Sequence, residues 1–172
     1  MVHDGRLDMK LEEGAPRELE ITADCSTSPH AVYGVLVTYM GACVMHISKK
    51  IGVAIASTHD GESIATVKAS EAGVYARIVL GALGLPQTQP TRLLTDNLAN
   101  QRVAQNAQAA ARSRYFLIRQ ACLHQRVSDG ELRILYIPDP QNPSDYLTKF
   151  ISVDKTNKSI EYASGKLTKE NE

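Results

Sequence analysis

The chain lacks tryptophan altogether and has only two phenylalanines among its 172 residues. Its aromatic share is 5%, which argues against single-strand nucleic-acid binding on stacked aromatic platforms. Cysteine is scarce too: Cys25, Cys43 and Cys122 are odd in number and show no C-x-x-C spacing. That argues against a disulfide framework or a zinc site and points to a reducing, intracellular compartment. No apolar run is long enough to span a bilayer and no signal peptide opens the sequence, so no membrane partner is expected. Net charge is absent as well, because 19 Lys and Arg balance 19 Asp and Glu. On charge alone a neutral chain holds nucleic acid weakly and in a salt-sensitive way.

The charge that is present is unevenly placed. Residues 1–24 carry seven Asp or Glu against three Lys or Arg, net −4. Residues 91–126 carry six arginines (Arg92, Arg102, Arg112, Arg114, Arg119, Arg126) against Asp96 alone, net +5. Such a stretch suits either a polyanion or a solvated helix face.

Length and a hydrophobic share of 43% fit one domain with a real core. Residues 1–17 read as a charged leader or linker, 18–151 as the folded domain, and 152–172 as a polar, mobile tail. Leu19, Ile21 and Ala23 alternate with polar residues as a strand does, and 35–39 and 43–47 continue a β meander around Gly41. From 58 to 83 the period becomes helical, with Ile64, Val67, Val74, Tyr75, Ile78 and Ala82 on one face, a start near Thr58 and a stop at Gly84 and Pro86. A strand over 92–95, helices near 97–109 and 113–127, a strand over 132–137 and a short helix over 143–151 follow. The class is α/β, a mixed sheet flanked by helices.

Four acids stand at element boundaries. Asp24 closes the first strand, Glu62 opens the long helix, Asp96 ends the run Leu93-Leu94-Thr95, and Asp145 follows Pro143-Ser144. Singly, Glu62 and Asp145 suit the first turn of a helix with no metal at all. Together, clustered carboxylates cost stability unless a cation neutralises them, so the order Asp, Glu, Asp, Asp suggests a site for two divalent metals. Ser26 and Ser144 have no paired base in sequence, which gives no support to nucleophilic catalysis.

The residues around these acids resemble the ribonuclease H domain of copia-type LTR retrotransposon polyproteins. The resemblance rests on His46-Ile47-Ser48-Lys49-Lys50, on Ser57-Thr58-His59-Asp60-Gly61-Glu62, on Thr95-Asp96-Asn97 and on Ser144-Asp145-Tyr146-Leu147-Thr148-Lys149. It covers roughly residues 18–151. The chain departs from the family in a shorter loop after Asp24, in Ser26 where a second Asp is usual, and in Arg114-Tyr115 where Lys-His is usual.

The resemblance implies a ribonuclease H-like fold, a five-stranded mixed sheet with three antiparallel strands and then two parallel ones. It implies an endoribonuclease that cuts the RNA strand of RNA–DNA hybrids with two Mg²⁺ ions, Mn²⁺ being the usual substitute, and leaves 5′-phosphate ends. Asp24 would bridge both metals, Glu62 and Asp96 would complete one shell, and Asp145 would hold the metal that activates water. Asn97 could reach a ribose 2′ hydroxyl or cap a helix, and Arg112 and Arg114 could track DNA phosphates or be solvated. Lys49 and Lys50 suit a solvated strand end, and His59 and His124 are candidate proton shuttles or surface residues. A reverse transcriptase domain of the same polyprotein is the implied protein partner, in the cytoplasm, a virus-like particle or the nucleus. The alternative is a catalytically inactive module that binds nucleic acid or tethers a polymerase. An integrase core would place Glu last, whereas here Glu is second and Asp last.

Overall fold

A computed structural model describes residues 17–55, 57–97 and 114–165, with the backbone alone at 114–116. Five strands, β1 (Leu19–Ser26), β2 (Val32–Tyr39), β3 (Ala42–Lys50), β4 (Thr91–Thr95) and β5 (Leu132–Tyr136), form one sheet in the order β3-β2-β1-β4-β5. β1 pairs antiparallel with β2, and β2 with β3, while β4 runs parallel to both β1 and β5. The expected sheet, three antiparallel strands and then two parallel ones, is the observed one. The β2–β3 hairpin closes through Met40 (φ 52°) and Gly41 (φ 79°), the paired left-handed conformations that a two-residue turn requires.

Central position explains the composition of β1. Leu19, Ile21, Ala23 and Cys25 join the main core with Ala65, Ala69, Ala72 and Ala76 of helix α1 (Thr58–Ala82). The intervening Glu20, Thr22 and Asp24 are just as buried, and each meets a polar partner from the C-terminal segment. Helix α2 (Arg114–Ser128) adds a smaller core of Leu123 against Val67 and Ile134.

The apolar face of α1 differs from the expected one. Ile64 and Val67 are buried, but Tyr75 and Ile78 are 62% and 65% exposed, and Ala82 is exposed too. The contact face is built from small residues because these let a helix axis approach the sheet closely, which periodicity of large side chains does not reveal. The N-cap is Ser57, one residue before the expected start, its side chain accepting from the Asp60 backbone N–H at 3.2 Å.

Two further differences lie at the C-terminal end. In place of the short helix expected over 143–151 there is a 3₁₀ turn, Pro143–Leu147, preceded by another at Asp139–Gln141, with proline in the first turn of each. The expected mobile tail holds a helix, α3 (Val153–Ala163), capped by Ser152. Its few apolar groups suffice because they are localised: Ala163 and Tyr162 pack with Leu36 and Cys43, and the Tyr162 hydroxyl donates to Glu20. Residues 1–16 of the expected leader, 98–109 of the helix expected near 97–109 and the last seven residues lie outside the described residues.

Candidate metal centre

Asp24 lies near the end of the central strand, 1% exposed, in register with Gly34 on β2. That glycine is a site of close approach. A Cβ there would meet Leu147 Cβ and Thr148 Cγ2 at 2.8 Å, so only glycine lets the 143–147 turn lie across β2. The turn is then pinned to β1: Asn142 Nδ2 donates to the Ala23 carbonyl at 2.9 Å, and Ser144 Oγ is 2.6 Å from Thr22 Oγ1. Thr148 Oγ1 in turn donates to Asp24 Oδ2.

Glu62 arrives from the other side on the first turns of α1. Gly61 permits this, since a Cβ there would lie 2.7 Å from Cys25 Sγ. Asp96 follows directly on β4, which is paired in parallel with β1 up to Ala23 and Thr95. Candidate ligand oxygens of Asp24, Glu62 and Asp96 all lie within 4.8 Å of one another. Three of the four expected acids therefore converge.

The fourth has other company. Asp145 is fully buried, with Lys149 Nζ 3.2 Å from its Oδ1 and Lys155 Nζ, from α3, on its Oδ2. Lys149 also lies 3.9 Å from Asp24 Oδ2 and 3.3 Å from Asp139 Oδ1. Neither lysine stands out as a site residue in sequence. Lys149 is four residues beyond Asp145 and so faces it across one turn, a signal that was present, whereas Lys155 sits in the segment read as a tail.

Electrostatics agree with a crowded, dry cluster. Burial first, then Asp96 and Asp24, push the Glu62 carboxyl from its ordinary 4.5 up to about 9. Asp96 is pushed up to about 6 by burial and then by Asp24 and Asp139, and Asp24 is raised by burial against the opposing hydrogen bond from Thr148. The neighbouring Cys25 thiol, pushed up to about 12 by burial and by the same acids, is an inert core group. Burial opposes the Lys149 charge, yet Asp24 and Asp145 outweigh it and hold the ammonium protonated.

These groups fit a hard divalent cation. Glu62 Oε2, Asp96 Oδ1 and Asp145 Oδ1 are buried without a hydrogen-bond partner, an expensive condition that a cation relieves. Asp145 Oδ1 has the Lys149 ammonium 3.2 Å away, close enough for Coulomb attraction.

The expected nucleic-acid residues fare differently. Asn97 stands beside the acids and bonds through Nδ2 to His59 Nδ1 at 2.8 Å, which brings two candidates together at the mouth of α1. Arg112 and the side chain of Arg114 lie outside the described residues. Much of the basic stretch serves the fold instead: Arg92 pairs with Glu20 at 3.3 Å, Arg119 with Asp60, and Arg126 donates to the Ser70 carbonyl. His124 lies apart, 3.5 Å from Ser128 Oγ on an exposed face.

Comparison with known proteins bears on this arrangement. No protein-family model matches the chain. It is 27% identical over 122 residues, 71% of its length, to the "Retrovirus-related Pol polyprotein from transposon TNT 1-94" of Nicotiana tabacum. Its fold is similar to that of LC11-RNase H1 in complex with an RNA/DNA hybrid, with a TM-score of 0.59 at 16% identity over 76% of this chain and 93% of that one. The chain has a ribonuclease H-like fold. The chain spans 9% of the tobacco polyprotein's length. It is also similar to ribonuclease H1 of Halobacterium salinarum (TM-score 0.58, 14% identity, 74% of this chain and 90% of that one). A third likeness is to the N-terminal ribonuclease H domain of a Mycobacterium tuberculosis protein (TM-score 0.57, 16% identity, 85% and 98% covered).

Proposed function

We propose that this domain is an endoribonuclease of the copia-type branch that hydrolyses the RNA strand of RNA–DNA hybrids with two Mg²⁺ ions, beside a reverse transcriptase of the same polyprotein. The observation that carries this reading is the convergence of Asp24, Glu62 and Asp96 oxygens within 4.8 Å at the end of the central strand. Asp24, Glu62 and Asp96 would hold one ion, and Asp24 and Asp145 the other. When bound, divalent cations supply positive charge at the scissile phosphate and lower the pKa of the attacking water. The chain's own residues do the positioning. Thr148 fixes the Asp24 carboxylate by donating to Oδ2, and Asn142 and Ser144 hold the Asp145 turn against β1. Asn97, bonded to His59, is the candidate reader of a ribose 2′ hydroxyl. Arg112 and Arg114 are the candidate contacts for DNA phosphates.

A labelled hybrid duplex tests this. Cleavage of the RNA strand in Mg²⁺ or Mn²⁺, with single-stranded RNA left intact, is the expected result. No cleavage of the hybrid in either metal would point instead to an inactive ribonuclease H-like module.

A further inference from the structure

The chain itself places two ammonium groups on Asp145, Lys149 3.2 Å from Oδ1 and Lys155 on Oδ2. Asp145 has no solvent exposure, and its Oδ2 is taken by the ammonium of Lys155, which also donates to the Asp139 carbonyl at 3.2 Å. Lys155 lies in the first turn of α3, just after the Ser152 cap, and its side chain is 26% exposed, so it reaches the acid from the surface. The far end of the same helix is anchored separately, through Tyr162 on Glu20 and Ala163 among Leu36 and Cys43. The acids that converge without Asp145 are those that no α3 lysine touches.

We infer that Lys155 is an internal latch, an ammonium that occupies the Asp145 side of the site and must leave before a divalent cation can bind there. This rests on the metal-dependent reading above and adds a residue from outside the segment on which the family resemblance rests. A carboxylate oxygen engaged by an ammonium is not free to coordinate a metal, and with Lys149 already on Oδ1 a divalent cation beside Lys155 would add a third cation to one buried carboxylate. Metal uptake at this position and docking of the first turn of α3 are therefore alternatives, coupled through Asp145. At the Asp24, Glu62 and Asp96 position the nearby ammonium is that of Lys149, no closer than 3.9 Å to Asp24 Oδ2, and this position fills first. By linkage, whatever pulls the start of α3 away from the domain favours the second ion, and the second ion loosens the start of α3.

Mn²⁺ titration followed by electron paramagnetic resonance, on the whole chain and without substrate, tests the latch. In wild type two classes of site are expected, the second weaker than the first. Lys155→Met keeps most of the apolar stem and removes the charge, and should tighten the weaker class by about tenfold or more. Lys155→Arg retains the charge and should leave it within about threefold of wild type. Amide exchange of wild type in saturating Mg²⁺ should show faster exchange at 153–158 with protection at 160–163 retained, a readout that needs no variant to fold. Unchanged or weaker binding in Lys155→Met, or unaltered exchange at 153–158, overturns the latch. Cleavage of hybrid with those negative results would leave the nuclease reading standing. Strengthened binding in Lys155→Met with no cleavage in either metal would uphold the latch and sink the nuclease.

Discussion

Asp24, Glu62 and Asp96 are held in the centre at a cost, and the raised proton affinity of each records it. Asp24 is raised chiefly by burial and further by Asp145. Removing its charge should therefore relieve strain while destroying the proposed metal site. Asp24→Asn is expected to abolish hybrid cleavage yet leave metal-free stability unchanged or higher by up to about 1–2 kcal/mol, read by urea unfolding in a chelator. A clear loss of metal-free stability would count against a repulsive cluster. The same groups set a pH dependence. Glu62 at about 9 and Asp96 at about 6 bind protons more tightly folded than unfolded, where they sit near 4.5 and 3.8. Between these values the unfolded chain holds fewer protons, so their contribution to metal-free stability is fullest below about pH 4 and declines as pH rises towards 9. Added Mg²⁺ should flatten that decline, since a bound cation favours the ionised carboxylates. Unfolding midpoints at pH 6, 7.5 and 9, with and without Mg²⁺, measure both effects.

At the scale of elements, the centre depends on how closely a turn and a helix start can approach two strands. Gly34 is the tightest point for the turn, because the atoms a Cβ would meet are a side-chain root and a methyl next to Asp145's own turn. Gly34→Ala should lower stability by about 1–3 kcal/mol through overpacking and weaken metal uptake with it. A variant as stable as wild type with undiminished Mn²⁺ binding would show that the turn tolerates displacement. Helix α3 makes the complementary case. Tyr162→Phe strips one partner from buried Glu20, which keeps Arg92 at 3.3 Å, and should cost about 1–3 kcal/mol. If thermal unfolding is unmoved, α3 contributes little to the fold.

At the scale of the whole molecule, a cation that binds only the folded state stabilises it by mass action. Mg²⁺ at about a hundred times its dissociation constant should add about 2.7 kcal/mol and raise the melting temperature accordingly. A melting temperature that stays put in tens of millimolar Mg²⁺ would mean that the acids do not act together as a metal site. The molecule also shows why formal neutrality is compatible with a basic sequence stretch. Arg92, Arg119 and Arg126 are engaged with Glu20, Asp60 and the Ser70 carbonyl, so part of the apparent polyanion surface is internal wiring.

The sheet was legible from sequence because strand alternation, turn residues and the placement of acids at strand ends are local patterns. Asp24, Glu62, Asp96 and Asp145 could be named for the same reason. The packing face of α1 was misread because small residues, not the large apolar ones, make the close contact with β1. Helix α3 was missed because its stability comes from contacts more than a hundred residues away, such as Tyr162 with Glu20. Sequence alone therefore determined which carboxylates are available and their order along the chain, since both are properties of residues and their neighbours. Tertiary structure alone decided that three of them converge while Asp145 faces Lys155 of another element. Distances between charges on different elements follow from how those elements pack, and no local pattern encodes them.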